Sequence, residues 1–138
     1  MTPLLLVTHE GFGESLCALA ETILGWPPPV IRIEVAGDDD PDLCFETIRH
    51  RLGFLCRDVP PLVLTDLPGA TPHNLALEAI ARLCPTAPVV TGLNLPMLLS
   101  AVTHLDLPAA VLAARVAEGG REAIFVGGAD AHAVDHAD

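Results

Sequence analysis

Short apolar runs alternate along this chain with segments of helical periodicity, and few architectures accept that order. The run LLLVT (residues 4–8) stays apolar until its last residue, as expected of a strand covered on both faces. ESLCALAETILGW (14–26) follows, with apolar residues at 16, 17, 19, 20, 23 and 24, the spacing of a helix that buries one stripe. Gly25 is a stop signal, and Pro27, Pro28 and Pro29 prevent continuation. The two patterns then repeat. VIRIEV (30–35), PLVLTD (61–66) and APVVTG (87–92) read as strands. Between them, GDDDPDLCFETIRHRLGFL (37–55) reads as a helix with an acidic cap and Pro41 at its first position. TPHNLALEAIARL (71–83) is a helix with Thr71 as cap and Pro72 at its first position. NLPMLLSAVTHL (94–105) is capped by Asn94 or begins near Pro96, and DLPAAVLAARVAEGG (106–120) is stopped by its glycines. REAIFVGG (121–128) reads as a short last strand, and ADAHAVDHAD as a disordered tail over 129–138. Strands alternating with amphipathic helices predict an α/β fold: a parallel sheet with helices on both faces and right-handed crossovers. No linker or repeat divides the chain, so one domain is expected over 1–128.

Composition narrows the function. The net charge is −11, and the seven basic residues are all Arg. Binding to a nucleic-acid backbone needs clustered cations, so that class is excluded. Aromatic content is only 4%, without Tyr, which removes the usual base-stacking platform. The start MTPLLLVTH lacks a basic n-region, and no run of 18 apolar residues spans a bilayer, so a cytoplasmic protein without membrane insertion is expected. The cysteines at 17, 44, 56 and 84 form no CxxC pair. They are expected to be reduced, small, buried apolar groups. The Asp38–Asp40 run reads as helix capping, because its oxygen ligands stop at Asp42 instead of continuing as in a calcium loop. His132 and His136, with Asp130 and Asp135, have helical spacing for a metal but sit in the tail. No metal or cofactor is expected.

The chemistry belongs at the carboxyl edge of the sheet, where α/β proteins of this kind bind ligands. Strand 1 ends in Thr8-His9, strand 3 in Thr65-Asp66, and strand 4 in Thr91-Gly92-Leu93-Asn94. If strands 1 and 3 are neighbours, His9 meets Asp66. A carboxylate beside an imidazole fixes which ring nitrogen holds the proton, frees the other as base or nucleophile, and stabilises positive charge. After Asp66, LPGATPHN leads into a helix whose first amides lack intrahelical partners, and Thr71 adds a hydroxyl. A nucleophilic imidazole, an orienting acid and an anion cradle suit phosphoryl transfer through a phosphohistidine.

LVTHEGFGESLCALAETILG, VLTDLPGATPHNLA and VTGLNLPMLLSAV resemble, in order and spacing, the enzyme IIA domains of the mannose-type phosphotransferase system (the mannose/fructose/sorbose family). These blocks carry about a third of the chain, and the order of elements extends the resemblance across nearly all of it. The resemblance implies a sheet of order 2-1-3-4 with an antiparallel fifth strand, matched by REAIFV, exchanged between the subunits of a homodimer. It implies that His9 accepts phosphoryl from the phosphocarrier HPr. His9 would then pass it to a IIB-type domain or use it as a regulatory signal. It gives Asp66 the role of orienting acid and places Gly69, Ala70 and Thr71 around the phosphoryl group. The chain departs from the family's commoner residues at Glu10, Pro68 and His73. A Glu10 carboxylate facing the phosphoryl group would repel it, so Glu10 is expected to point away.

Two other readings compete. Gly11-x-Gly13-x-x-Leu16, with Glu34 about 20 residues on, mimics a dinucleotide fingerprint, though Leu16 stands where close packing asks for glycine. The other is a non-catalytic interaction module of the same fold. A receiver domain needs a late Lys, a flavodoxin-like protein needs hydroxyls and aromatics around its flavin, and a serine hydrolase needs GxSxG. The chain has no Lys, only Thr8 as a hydroxyl at the end of strand 1, no Tyr, and no GxSxG.

Overall fold

The computed structural model describes residues 1–128. The tail expected at 129–138, with His132 and His136, lies outside the described residues. The elements are β1 (Leu4–His9), α1 (Phe12–Leu24), β2 (Val30–Val35), α2 (Pro41–Leu55), β3 (Leu62–Thr65), α3 (Thr71–Leu83), β4 (Val89–Val90), α4 (Leu95–Val102) and α5 (Ala109–Glu122). The strands form one parallel sheet in the order β2-β1-β3-β4. Leu5 faces Ile31 in β2 and Val63 in β3, so β1 and β3 occupy the centre.

Side-chain alternation along the central strands divides the core. Leu4, Leu6, Leu62 and Leu64 pack with Ala20 of α1, Leu98 of α4, and Leu112 and Val116 of α5. Leu5, Val7 and Val63 pack with Ile48 and Leu52 of α2 and with Ala76, Ala79 and Ile80 of α3. Each residue over 4–7 and 62–64 is at most 1% exposed, which is why neither run alternates with polar residues. Helix ends follow local chemistry. Gly25 closes α1 in the left-handed region at φ 85°, donating its N–H to Glu21 O. Asp40 caps α2, accepting from Asp42 N–H at 3.0 Å, with Pro41 at the first position. Asn94 caps α4, accepting from Met97 N–H at 3.0 Å.

Four expectations need correction. The cap of α3 is Ala70, and Thr71 is already helical, one residue earlier than the cap chemistry implied. Gly119 and Gly120 do not stop α5, which runs on to Glu122. Gly120 is buried against Met97 and serves close packing of α5 on α4. No fifth strand forms among the described residues: Arg121 and Glu122 belong to α5, and 124–127 pair with no strand. A short apolar run becomes a strand only when an edge is offered to it. Finally, Cys56 and Cys84 are joined in a disulfide, whereas Cys17 is buried and free and Cys44 half-buried and free. The two bonded residues are 28 apart in sequence and cap the C-termini of α2 and α3, a proximity that only helix packing creates.

The packing of α5 has a measurable consequence. A Cβ on Gly120 would stand 2.5 Å from Met97 Cγ, deep in the core, whereas one on Gly119 would rest 3.5 Å from Ser100 Oγ. Gly120→Ala is expected to lower stability by about 1–3 kcal/mol through overpacking. Gly119→Ala is expected to raise it by up to about 1 kcal/mol through helix propensity. Urea unfolding of both variants checks this; equal gains would show that α5 does not lie against Met97.

Candidate active site

Because β1 and β3 are parallel neighbours, both chains leave the sheet at one edge, and there His9 meets Asp66. Asp66 Oδ2 accepts the backbone N–H of His9 at 2.9 Å and lies 2.8 Å from its ring Nδ1. Oδ1 accepts the N–H of Leu67 at 3.0 Å. The carboxylate therefore holds both the main chain and the ring of one residue. Burial of Asp66 works against its ionised form, but the hydrogen bonds from the His9 amide and ring, with the His9 charge, outweigh it. The carboxyl is held below the ordinary aspartate value. An ionised carboxylate only accepts, so Nδ1 carries the proton, and in the neutral ring Nε2 keeps its lone pair. The His9 side chain is 47% exposed, against 9% for Asp66, so the ring meets solvent while the acid is shielded.

A cleft of about 130 Å³ adjoins the ring, lined by His9, Ala36, Asp39, Pro41 and Thr71 among others. That volume equals roughly four water molecules in the liquid, enough for a phosphoryl group. His9 is an odd-numbered residue of β1, like Leu5 and Val7, so alternation directs it to the face that carries α2 and α3. Thr71 shares this cleft with His9. Gly69 and Ala70 build the turn beneath. Gly69 has φ 81°, a conformation that glycine adopts without strain, and its carbonyl accepts from Asn74 Nδ2 at 3.0 Å. The Ala70 N–H donates to Leu67 O at 3.3 Å. Glu10 is exposed, and its backbone N–H donates to Val35 O at 3.0 Å.

Comparison with known proteins settles the family. Residues 3–115 match the family model EIIA-man, described as the PTS system fructose IIA component. The chain belongs to that family. It is similar in structure to the mannose/sorbose-specific IIA subunit of the phosphotransferase system from Enterococcus faecalis. Identity is 29%, the TM-score is 0.77, and 93% of this chain and 96% of that one are covered. Against the phosphotransferase system component EIIA from Streptococcus agalactiae, identity is 27% and the TM-score 0.77, covering 91% of this chain and 97% of that one. The PTS IIA protein associated with the fucose utilization operon of Streptococcus pneumoniae shares the fold, with 21% identity and a TM-score of 0.78 over 91% of this chain and 92% of that one. No curated protein matched.

Around the site of this EIIA-man protein, the structure gives Glu34 and His73 roles that their sequence motifs did not indicate. Glu34 Oε1 and Oε2 accept the N–H groups of Gly11 and Glu14 at 2.8 and 2.6 Å. Glu34 thus caps α1 from the neighbouring strand and is committed to main-chain amides, which removes the dinucleotide reading in which it would hold a ribose. A signal existed: α1 begins after Gly11, which has no capping side chain, so a cap had to come from elsewhere. Behind Asp66, the buried Thr65 hydroxyl lies 2.7 Å from His73 Nδ1 and donates to Thr91 Oγ1 at 2.8 Å, tying the ends of β3 and β4 to α3. Among the described residues, no group of three or more His, Cys, Asp or Glu residues is placed to hold a metal ion, and no helix is long and apolar enough to cross a membrane.

The Asp66–His9 contact predicts an acid dependence. The folded pKa of Asp66 lies below its unfolded one, so this stabilisation is complete above the ordinary carboxylate value of about 3.9 and is lost as pH falls through the folded value. The Tm difference between the wild type and Asp66→Asn is expected to be largest from about pH 5 upward and to shrink steadily toward about pH 2. A difference that stays constant in acid would show that the carboxyl is not held ionised by His9.

Proposed function

We propose that this IIA protein carries a phosphoryl group on His9, taken from the phosphohistidine of HPr and delivered to a histidine of a IIB-type partner or used as a regulatory signal. The observation that carries the reading is the double hold of Asp66 on His9, which leaves Nε2 as the exposed nucleophile. In the transfer, the Nε2 lone pair forms the new N–P bond. The donor's N–P bond breaks, and its electron pair returns to the donor ring, which departs as neutral imidazole. Nδ1 of His9 keeps its proton, and the positive charge arising on the ring lies against the Asp66 carboxylate. The Thr71 hydroxyl donates to a phosphoryl oxygen, and the turn through Gly69 and Ala70 sets its position. Passing the group onward is the same step reversed, so the site need only hold the phosphoryl group without stabilising it deeply.

A partner that must present a phosphohistidine to an exposed ring is a protein, and an acidic surface suits a basic docking face. The same reading makes the protein cytoplasmic and a homodimer in which a second copy covers Ile124 and Val126, exposed at 75% and 83%.

Incubation with enzyme I, HPr and phosphoenolpyruvate, followed by mass mapping, is the direct test. An acid-labile, alkali-stable phosphoryl group on His9 is expected, absent from His9→Ala. Asp66→Asn should transfer at least about 100-fold more slowly, since an amide no longer fixes the tautomer. Thr71→Ala should lose roughly tenfold and Thr71→Ser much less, as for one lost donor to a developing charge. A wild-type chain that takes no label would favour the non-catalytic interaction module.

A further inference from the structure

Helices α1 and α3 both start within a few residues of the His9–Asp66 pair, but the fold treats their N-termini differently. That of α1 is closed. The N–H groups of Gly11 and Glu14 donate to the two Glu34 oxygens, and Gly13 N–H donates to Thr8 Oγ1 at 3.1 Å. A Cβ on Gly13 would meet Thr8 Oγ1 at 3.0 Å and Glu34 Oε2 at 3.2 Å, so these side chains fill the space where an anion would sit. Arg32 Nη1 donates to Oε2 of the same carboxylate at 3.2 Å. At α3, the N-cap Ala70 has no capping side chain, and Thr71 opens into the cleft beside His9.

Sheet register explains the arrangement. Thr8 and Glu34 are paired residues of β1 and β2, and their side chains lie on the α1 face. The next residue, His9, turns to the α2 and α3 face. One strand end thus presents a sealed helix terminus on one side and an imidazole on the other. An open helix terminus attracts anions through its unpaired amides and its dipole.

We propose that Glu34 is a positioning residue of phosphoryl transfer: its carboxylate serves as a built-in anion that closes α1, fixes the turn after His9, and leaves the α3 side to hold the transferred group. The proposal rests on His9 being the acceptor. Glu34 acts through the amides of Gly11 and Glu14, not on the phosphorus. Without it, the α1 terminus becomes a rival anion site two to five residues from His9, and the turn that carries the ring loosens.

Two measurements separate this role from simple stabilisation. The first is amide NMR during titration with inorganic phosphate, without any partner protein. In the wild type, the signals of residues 11–14 should stay in place. In Glu34→Ala, they should move and saturate at millimolar phosphate. The second is the rate of label transfer to His9, expected to fall about tenfold or more in Glu34→Ala, in kcat rather than KM. Glu34→Gln restores one amide acceptor and should lie between in both measurements; it also carries the test if Glu34→Ala does not fold. Unmoved signals at 11–14 in a folded variant, or transfer at the wild-type rate, overturn the proposal. A wild-type chain unlabelled at His9 overturns the acceptor reading, and with it the positioning role of Glu34 in transfer. The phosphate titration still reports by itself whether Glu34 closes α1.

Discussion

One carboxylate oxygen, Oδ2 of Asp66, organises the site. By accepting both the amide and the ring of His9, it joins the ends of the two central strands and sets the imidazole's rotation and tautomer together. This contact exists only because β1 and β3 are adjacent and parallel, with Val7 opposite Thr65, β3 ending there and β1 running two residues further to His9. Antiparallel neighbours would have sent the two residues to opposite edges. The adjacency in turn needs helices on both faces, since a central strand without polar residues is stable only when both its sides are covered. The geometry of the His9–Asp66 pair is therefore a consequence of the same hydrophobic burial that makes the sheet.

Strand parity then sorts the surrounding groups by role. Even positions of β1 end in Thr8, beside Glu34, and complete the cap of α1. Odd positions end in His9 and open on the cleft that α2 and α3 border. The separation matters electrostatically. A free carboxylate in the cleft would oppose an incoming dianion, whereas Glu34, on the far face, is engaged by two amides and Arg32. Asp39 does line the cleft, but its Oδ2 accepts the Ala36 N–H at 2.8 Å, so its charge is partly taken up by the loop it closes.

How much of this was legible follows from the range of each interaction. The strands, the first four helix positions and the caps Asp40, Asn94 and Gly25 depend on residues a few places apart, and sequence periodicity reports them. The meeting of His9 with Asp66 needed one further assumption, that strands 1 and 3 are neighbours. Glu34, His73 and the Cys56–Cys84 bond depend on which elements pack together, and no local pattern encodes that. The glycines at 119 and 120 misled because their usual meaning, a helix stop, gave way to packing of α5 on α4, Gly120 against Met97 and Gly119 beside Ser100. In the segment REAIFV, Arg121 and Glu122 misled, because they continue α5; a strand over the rest would need an edge from a second copy.

The disulfide shows how far such unreadable contacts reach. It closes a 28-residue separation between the C-terminal caps of α2 and α3. In the chain-entropy account, a loop of that size removes about 3–4 kcal/mol of freedom from the unfolded state. Its effect on the folded site is indirect, because both helices begin at the cleft and end at the bond, about 20 Å away at 1.5 Å per residue. Ile48 and Leu52 of α2 already pack with Ala76, Ala79 and Ile80 of α3, so the pair is held by burial along its length. In a reducing compartment the two thiols would still meet at the same helix ends. The cost would fall on the unfolded state's freedom rather than on the distance between His9 and Thr71.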